Sequence, residues 1–144
     1  METTLKEIIS ISGHSGLFRF VSQGRQGIIV ESLIDGKKMN VPVTAKVSAL
    51  SDIAVFTDSG EISLREVLQK IQGIEDGKQS IDPKSDSKEI VKYFGKVLPD
   101  FDRDRVYTSD IKKMITWYNQ LQAHNLLDLL KEEEATENTE EKNK

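Results

Sequence analysis

The sequence changes its pattern near the middle of the chain. Up to about Thr57, short runs of β-branched and aromatic residues alternate with glycine-containing turns, which is typical of β-strands. From Asp86 onward, apolar residues recur at three- and four-residue intervals, which is typical of amphipathic helices. Residues 73–85 are rich in glycine, serine and polar side chains and predict a linker. We therefore expect an α+β protein built from two small modules.

Residues 1–72 are predicted to form the β-rich module. Two apolar runs, residues 17–23 and 28–33, flank a four-residue connection that begins with Gly24 and ends with Gly27. Glycines can adopt the positive φ angles that such connections need, so this segment predicts a β-hairpin.

Two further strands are predicted after the hairpin. Apolar and polar residues alternate over residues 39–43, as in a strand with one buried face. Pro42 lacks an amide hydrogen, which places this strand at a sheet edge. Residues 53–57 predict the fourth strand.

Two capping boxes predict helical segments in the same module. The first capping box lies at residues 4–7 and predicts a short helical turn over residues 5–9. The second capping box is formed by Ser63 and Glu66 and predicts a helix over residues 64–71. Short strands, tight turns and one terminal helix suggest a small SH3-like antiparallel β-barrel or a curled sheet. An antiparallel sheet with one face covered by helices is the alternative.

Residues 86–130 are predicted to form a helical module of two to three helices. The first helix follows Asp86 and is stopped by Pro99, and the second begins at Ser109 or the next residue. Residues 131–144 contain six glutamates, three lysines and few apolar side chains, so we expect a disordered acidic tail.

Several chemistries are excluded by composition. The chain has no cysteine, which excludes disulfides, thiolate metal sites and cysteine nucleophiles. No apolar run has the length of a signal-peptide core or of a membrane span, so we expect a cytoplasmic protein without a membrane partner. The glycines match neither a phosphate-binding loop nor a dinucleotide fingerprint. The sequence thus predicts no catalytic residues, no metal site and no cofactor.

Several segments resemble a family of short bacterial proteins. These segments are residues 5–13, 21–24, 29–33, 106–107, 110–113 and 117–119. The family pairs a β-rich N-terminal domain with a small helical C-terminal domain, and both are domains of unknown function. The resemblance covers roughly residues 5–130 and implies a bacterial cytoplasmic setting. It implies no activity and no site residues.

Asp100, Asp102 and Asp104 have the spacing of the first three ligands of a calcium loop. The sixth position, which needs glycine, is Arg105, and the twelfth, which needs glutamate, is Ile111. We therefore predict that these aspartates form salt bridges and helix caps and do not bind calcium.

A cluster of cationic and aromatic residues is the main candidate for a binding surface. Its members are Arg103, Arg105, Tyr107, Lys112, Lys113 and Trp117. Such cations can contact phosphates and such rings can stack on bases. The four positive charges are balanced by Asp100, Asp102, Asp104 and Asp110, and Trp117 is more typical of a packing residue than of an exposed contact.

Together these patterns predict a non-enzymatic binding or adaptor protein whose partner is a protein. The alternative is a module that associates with RNA or DNA through the cations from Arg103 to Lys113. A third hypothesis is an enzyme whose site lies in a groove near Asp52, Asp100 or His124.

Overall fold

The computed structural model describes residues 5–14 and 16–130, and the predicted acidic tail lies outside them. Within these residues, no helix is both long enough and apolar enough to cross a membrane. The strands are β1 (Ile8–Ile11), β2 (Leu17–Gln23), β3 (Gly27–Ser32), β4 (Lys38–Pro42), β5 (Val47–Ala49), β6 (Ala54–Thr57) and β7 (Gly60–Ser63). The helices are α1 (Leu64–Glu75), α2 (Ser87–Val97) and α3 (Thr108–Ala123).

The first five strands form one antiparallel sheet in the order β4-β3-β2-β1-β5. β2 and β3 are the predicted hairpin, and β4 is an edge strand, as Pro42 predicted. Gly27 is required where β3 meets β4, because a Cβ atom there would lie 1.9 Å from the Val41 carbonyl oxygen. β4 and β5 are both edges, so the sheet is not closed into a barrel.

The fold is the predicted mixture of an antiparallel sheet and helices, and is therefore α+β. The comparison with SH3-like barrels stays a prediction, as does the division into modules at residues 72 and 73.

Some local predictions were wrong. Residues 5–7 form a single 3₁₀ turn, but Ile8 and Ile9 belong to strand β1. The strand forms because its neighbours β2 and β5 hydrogen bond to both of its edges, a tertiary effect that outweighs the capping signal. Two short strands, β5 and β7, were not predicted at all.

The second half of the chain begins with the hairpin of β6 and β7, which leads directly into α1. The Ser63 hydroxyl accepts from the Glu66 amide, so the predicted cap is confirmed. The helix continues beyond its predicted end to Glu75, where Asp76 has a left-handed conformation with φ of 56°. The helix after Asp86 is confirmed as α2, and α3 begins at Thr108, one residue before its predicted start.

The segment between α1 and α2 is anchored to α3. The Ser80 amide donates to the Asn119 side-chain oxygen over 2.7 Å, and the Tyr118 hydroxyl donates to the Lys78 carbonyl oxygen over 2.7 Å. The Ser80 hydroxyl also donates to the Tyr93 hydroxyl on α2. These contacts fix the segment that the composition had identified as a linker.

The molecule has two hydrophobic cores, one on each face of the sheet. The larger core combines the three helices with Leu5, Ile8, Leu17 and Leu50. The smaller core contains Ile9, Ile11, Phe18, Val30 and Val41. Among the described residues, no helix contributes to the smaller core, which is completed by partly buried residues of β3, β4 and β5 and by Ala45 in the turn between β4 and β5.

Candidate functional site

A groove lies between strand β6 and the first half of α3. Residues 53–56 form one wall, and Asp110, Lys113, Met114 and Trp117 form the other. The cavity has a volume of about 280 Å³. We call this surface the β6–α3 groove.

The wall formed by β6 presents a partly unpaired strand edge. The Leu64 amide donates to the Ile53 carbonyl oxygen, so alternate residues of β6 point their backbone groups towards β7. Ala54 and Phe56 therefore point theirs away from β7, along the edge of β6 that borders the groove. Among the described residues, the Phe56 carbonyl oxygen accepts from the Asp102 amide, and no backbone hydrogen bond to Ala54 is formed.

The segment before α3 covers one end of this edge. The Arg105 guanidinium lies 4.2 Å from the centre of the Phe56 ring and donates to the Asp102 carboxylate over 2.9 Å. This hydrogen bond, assisted by the Asp104 amide, lowers the pKa of the Asp102 carboxyl below its usual range. The salt bridge predicted for the aspartates is thus present at Asp102.

Arg103 has a similar intramolecular arrangement. Its guanidinium lies 4.3 Å from the centre of the Phe101 ring and donates to the carbonyl oxygens of Pro99 and Phe101. Both arginines of the predicted cluster are therefore engaged within the chain, each over a phenylalanine ring.

A second cavity adjoins the groove and has a volume of about 400 Å³. Residues 10–14, at the end of β1 and in the turn after it, form one side, and Lys113 and Trp117 form the other. The His14 ring stands edge-on to Phe18 with 5.6 Å between the ring centres. We call this space the junction cavity. Because Lys113 and Trp117 line both spaces, the two are neighbours along one face of α3.

Lys113 and Trp117 contribute different chemistry to this surface. Trp117 is buried, with 8% of its surface exposed, as its packing role predicted. Lys113 is exposed and, within the described residues, forms no salt bridge. The site thus combines an apolar wall with one unpaired positive charge.

Two family models match the chain. The model described as Domain of unknown function (DUF5606) matches residues 5–50, and the model described as Domain of unknown function (DUF6852) matches residues 53–121. A solution NMR structure of a protein from Bacteroides vulgatus is 44% identical, with a TM-score of 0.66. The match covers 83% of this chain and 86% of that chain. No curated protein matches.

The chain belongs to the family that joins DUF5606 to DUF6852. The resemblance identified from the sequence is confirmed. The β6–α3 groove lies within the DUF6852 region. The junction cavity, in contrast, has one side from DUF5606 and the other from DUF6852, so it exists only where the two domains meet.

The groove of this DUF5606–DUF6852 chain brings together some of the predicted binding residues. Arg105, Lys113 and Trp117 line the groove, whereas Arg103, Tyr107 and Lys112 lie outside it. Tyr107 is 64% exposed at the start of α3. There the Asp110 carboxylate accepts from the Tyr107 amide over 3.0 Å.

Sequence reasoning missed Ala54, Phe56 and His14. An open strand edge has no signature in the residues themselves, because it depends on which elements lie beside the strand in the folded chain. Within residues 5–14 and 16–130, no group of three or more His, Asp or Glu residues is placed to hold a metal ion.

Proposed function

We propose that this protein is a non-enzymatic binding or adaptor protein of the bacterial cytoplasm. Its β6–α3 groove docks a segment of a protein partner. The observation that carries this proposal is the open edge of β6 at Ala54, in the same groove as the apolar side chains of Met114 and Trp117.

The shape of the groove suits a peptide segment. Its volume, about 280 Å³, lies near the small end of the roughly 300–1,000 Å³ that is usual for small-molecule sites. It lies along a strand edge and continues into the junction cavity. This elongated arrangement fits an extended segment whose main chain continues past the groove.

The exposed backbone groups of β6 also favour the docking of a peptide. A peptide that adds to a strand edge gains main-chain hydrogen bonds, and pockets beside the edge select its side chains. Ala54 supplies an amide and a carbonyl group for such pairing, and the ring of Phe56, which is 38% exposed, supplies apolar contact beside them.

The nucleic-acid alternative has less support from the same residues. Arg103 and Arg105 hydrogen bond within the chain, so their guanidinium groups are already engaged. This leaves Lys112, Lys113, Tyr107 and the small exposed part of Trp117 for phosphate or base contacts.

Site-specific photocrosslinking in cells tests the proposal. p-Benzoylphenylalanine would replace Phe56 in the groove. As a matched control it would replace Ile74, an exposed apolar residue of α1 that does not line the groove. We expect a discrete protein adduct from position 56, unchanged by nuclease treatment, and none of the same mass from position 74.

Ala54→Pro makes the test specific for strand addition. It removes an amide that points away from β7, so the hairpin keeps its own hydrogen bonds, and Ile53 already has the extended ψ of 140° that precedes proline. The adduct should disappear in this variant.

The other outcomes of the crosslinking experiment decide against the proposal. Adducts lost after nuclease treatment would support the nucleic-acid alternative, and equal adducts from positions 56 and 74 would contradict the proposal.

A further inference from the structure

We infer that the segment docked in the β6–α3 groove is extended and acidic, with a carboxylate that pairs with Lys113 beside a large apolar side chain that contacts Trp117. This inference rests on the proposed function and specifies the chemistry of the partner.

The charges around the groove favour a negative partner. Lys113 is the cation between the two cavities, and no described carboxylate lies within salt-bridge distance of it. Asp110 also lines the groove, but its carboxylate accepts from the Tyr107 amide at the positively polarised start of α3. The Arg105 charge is paired with Asp102. A carboxylate from a partner would therefore have Lys113 as its unpaired counterpart.

The apolar wall strengthens this pairing. Trp117 follows Lys113 by one helical turn, so both lie on the same side of α3. Met114 and Trp117 line the groove beside Lys113, and a partner seated in the groove excludes water from the space around the ammonium group. Removal of water lowers the local dielectric constant, so the attraction between the ammonium group and a carboxylate becomes larger than at an open surface.

The strand edge predicts how the two side chains are spaced. Successive side chains of a strand alternate between faces, so residues two positions apart share a face. A segment paired with Ala54 can place a large apolar residue and an acidic residue on the face towards α3 only at such a spacing. The motif expected in the partner is therefore a large apolar residue, any residue, then aspartate or glutamate, or the reverse order.

The acidic tail of the chain itself lacks half of this motif. Residues 132–144 contain six glutamates but no aromatic residue and no leucine, isoleucine, valine or methionine. The tail can supply a carboxylate to Lys113 but no large side chain for the groove, which favours a segment of another protein.

Selection from a displayed library of random dodecapeptides on the full-length protein tests the inference. We expect the enriched peptides to share the apolar and acidic motif. Binding of an enriched peptide should weaken at least about tenfold in Lys113→Glu, because the charge is reversed beside the carboxylate. It should also weaken as NaCl rises from about 50 to about 300 mM.

Lys112→Glu is the matched control, since it makes the same charge change at the adjacent position of α3 outside both cavities. Its effect should stay within about twofold. A second control leaves the protein unchanged: replacing the acidic residue of the peptide by its amide should weaken binding to wild type. This comparison remains decisive if Lys113→Glu lowers the stability of the fold.

The outcomes separate the inference from the proposed function. Suppose that the enriched peptides are neutral and that they bind the Ala54→Pro variant more weakly but the Lys113→Glu variant as well as wild type. This result would overturn the acidic partner and would still support docking of a peptide in the β6–α3 groove. Equal losses from Lys112→Glu and Lys113→Glu, with displacement by a single-stranded oligonucleotide, would overturn the inference in favour of nucleic acid. The absence of any peptide sensitive to Ala54→Pro would contradict both.

Discussion

The two hydrophobic cores of this molecule differ in what encloses them. The larger core is shared by the sheet and all three helices, whereas the smaller core, among residues 5–14 and 16–130, is formed by strands and by the turn between β4 and β5. Strand β1 contributes to both, because Ile8 points into the larger core and the adjacent Ile9 into the smaller. Strand β2 divides in the same way, with Leu17 in the larger core and Phe18 in the smaller, so these two neighbouring strands link the stability of the two cores.

This comparison teaches that a change of sequence pattern need not mark a change of core. The helices after Asp86 and the strands before Thr57 follow different periodicities, yet Phe94 and Leu17 belong to the same cluster. The Leu17 amide also donates to the Gln120 side-chain oxygen over 2.8 Å, which joins β2 to α3 directly.

The largest expected effect comes from the larger core. Phe94→Ala removes a fully buried ring that packs against Phe101 with 4.9 Å between ring centres. We expect the free energy of unfolding to fall by about 3–5 kcal/mol, since both transfer energy and packing are lost. Urea unfolding followed by Trp117 fluorescence and by amide exchange in β2 should show one common transition. Retained protection of β2 after the helices unfold would show that the cores are not coupled.

A smaller and more local effect is expected in the smaller core. Val41→Ala removes two methyl groups from a side chain that is 2% exposed, at a cost of about 2 kcal/mol. Amide exchange should accelerate mainly in β3 and β4. Val43→Ala, at a position that is 76% exposed, is the control and should stay within about 0.5 kcal/mol of wild type. Equal losses from both variants would contradict the assignment of a second core.

The next prediction concerns the hydrogen-bond network beside the larger core. Tyr93 donates to the Glu75 carboxylate and accepts from the Ser80 hydroxyl. We expect Tyr93→Phe to lower stability by about 1–2 kcal/mol near pH 7, because these hydrogen bonds are lost. Thermal melts at matched pH would measure the difference.

The same network makes stability depend on alkaline pH. Burial first, and the Glu75 carboxylate second, raise the pKa of Tyr93 above the ordinary tyrosine value. A raised pKa means that the unfolded chain releases this proton before the folded chain does, so the contribution is complete below pH of about 10 and declines above it. The stability advantage of wild type over Tyr93→Phe should therefore shrink above pH 10. An advantage that grows with pH would show that the ionised form is the one stabilised.

The smallest effect is expected at the loop before α3. The Asp102 carboxylate already accepts from Arg105 and from the Asp104 amide, and the loop lacks a bidentate glutamate. We expect millimolar calcium to leave the melting temperature unchanged. A calcium-dependent increase that magnesium does not reproduce would contradict this prediction.

Residues with strong local signals were predicted correctly from the sequence. The apolar stripe that includes Phe94 predicted α2, and the Ser63 cap predicted the start of α1. Strand β5 has only three residues and depends on pairing with β1, which is distant in sequence, so no local pattern could reveal it. The candidate site, like the fold, was predicted only where the signal lies in the residues themselves. Composition selected Lys113 and Trp117, whereas the open edge at Ala54 arises only when β6 lies beside α3.

The shared core also has a consequence for how the two domains are inherited. The family models meet between residues 50 and 53, but Leu5 and Leu17 on one side pack in the same cluster as Ile115 and Leu121 on the other. A gene that encoded either region alone would produce a protein with an apolar surface turned towards water, which promotes aggregation. We therefore expect a rearrangement that separates the two regions to survive only when each acquires a new covering surface.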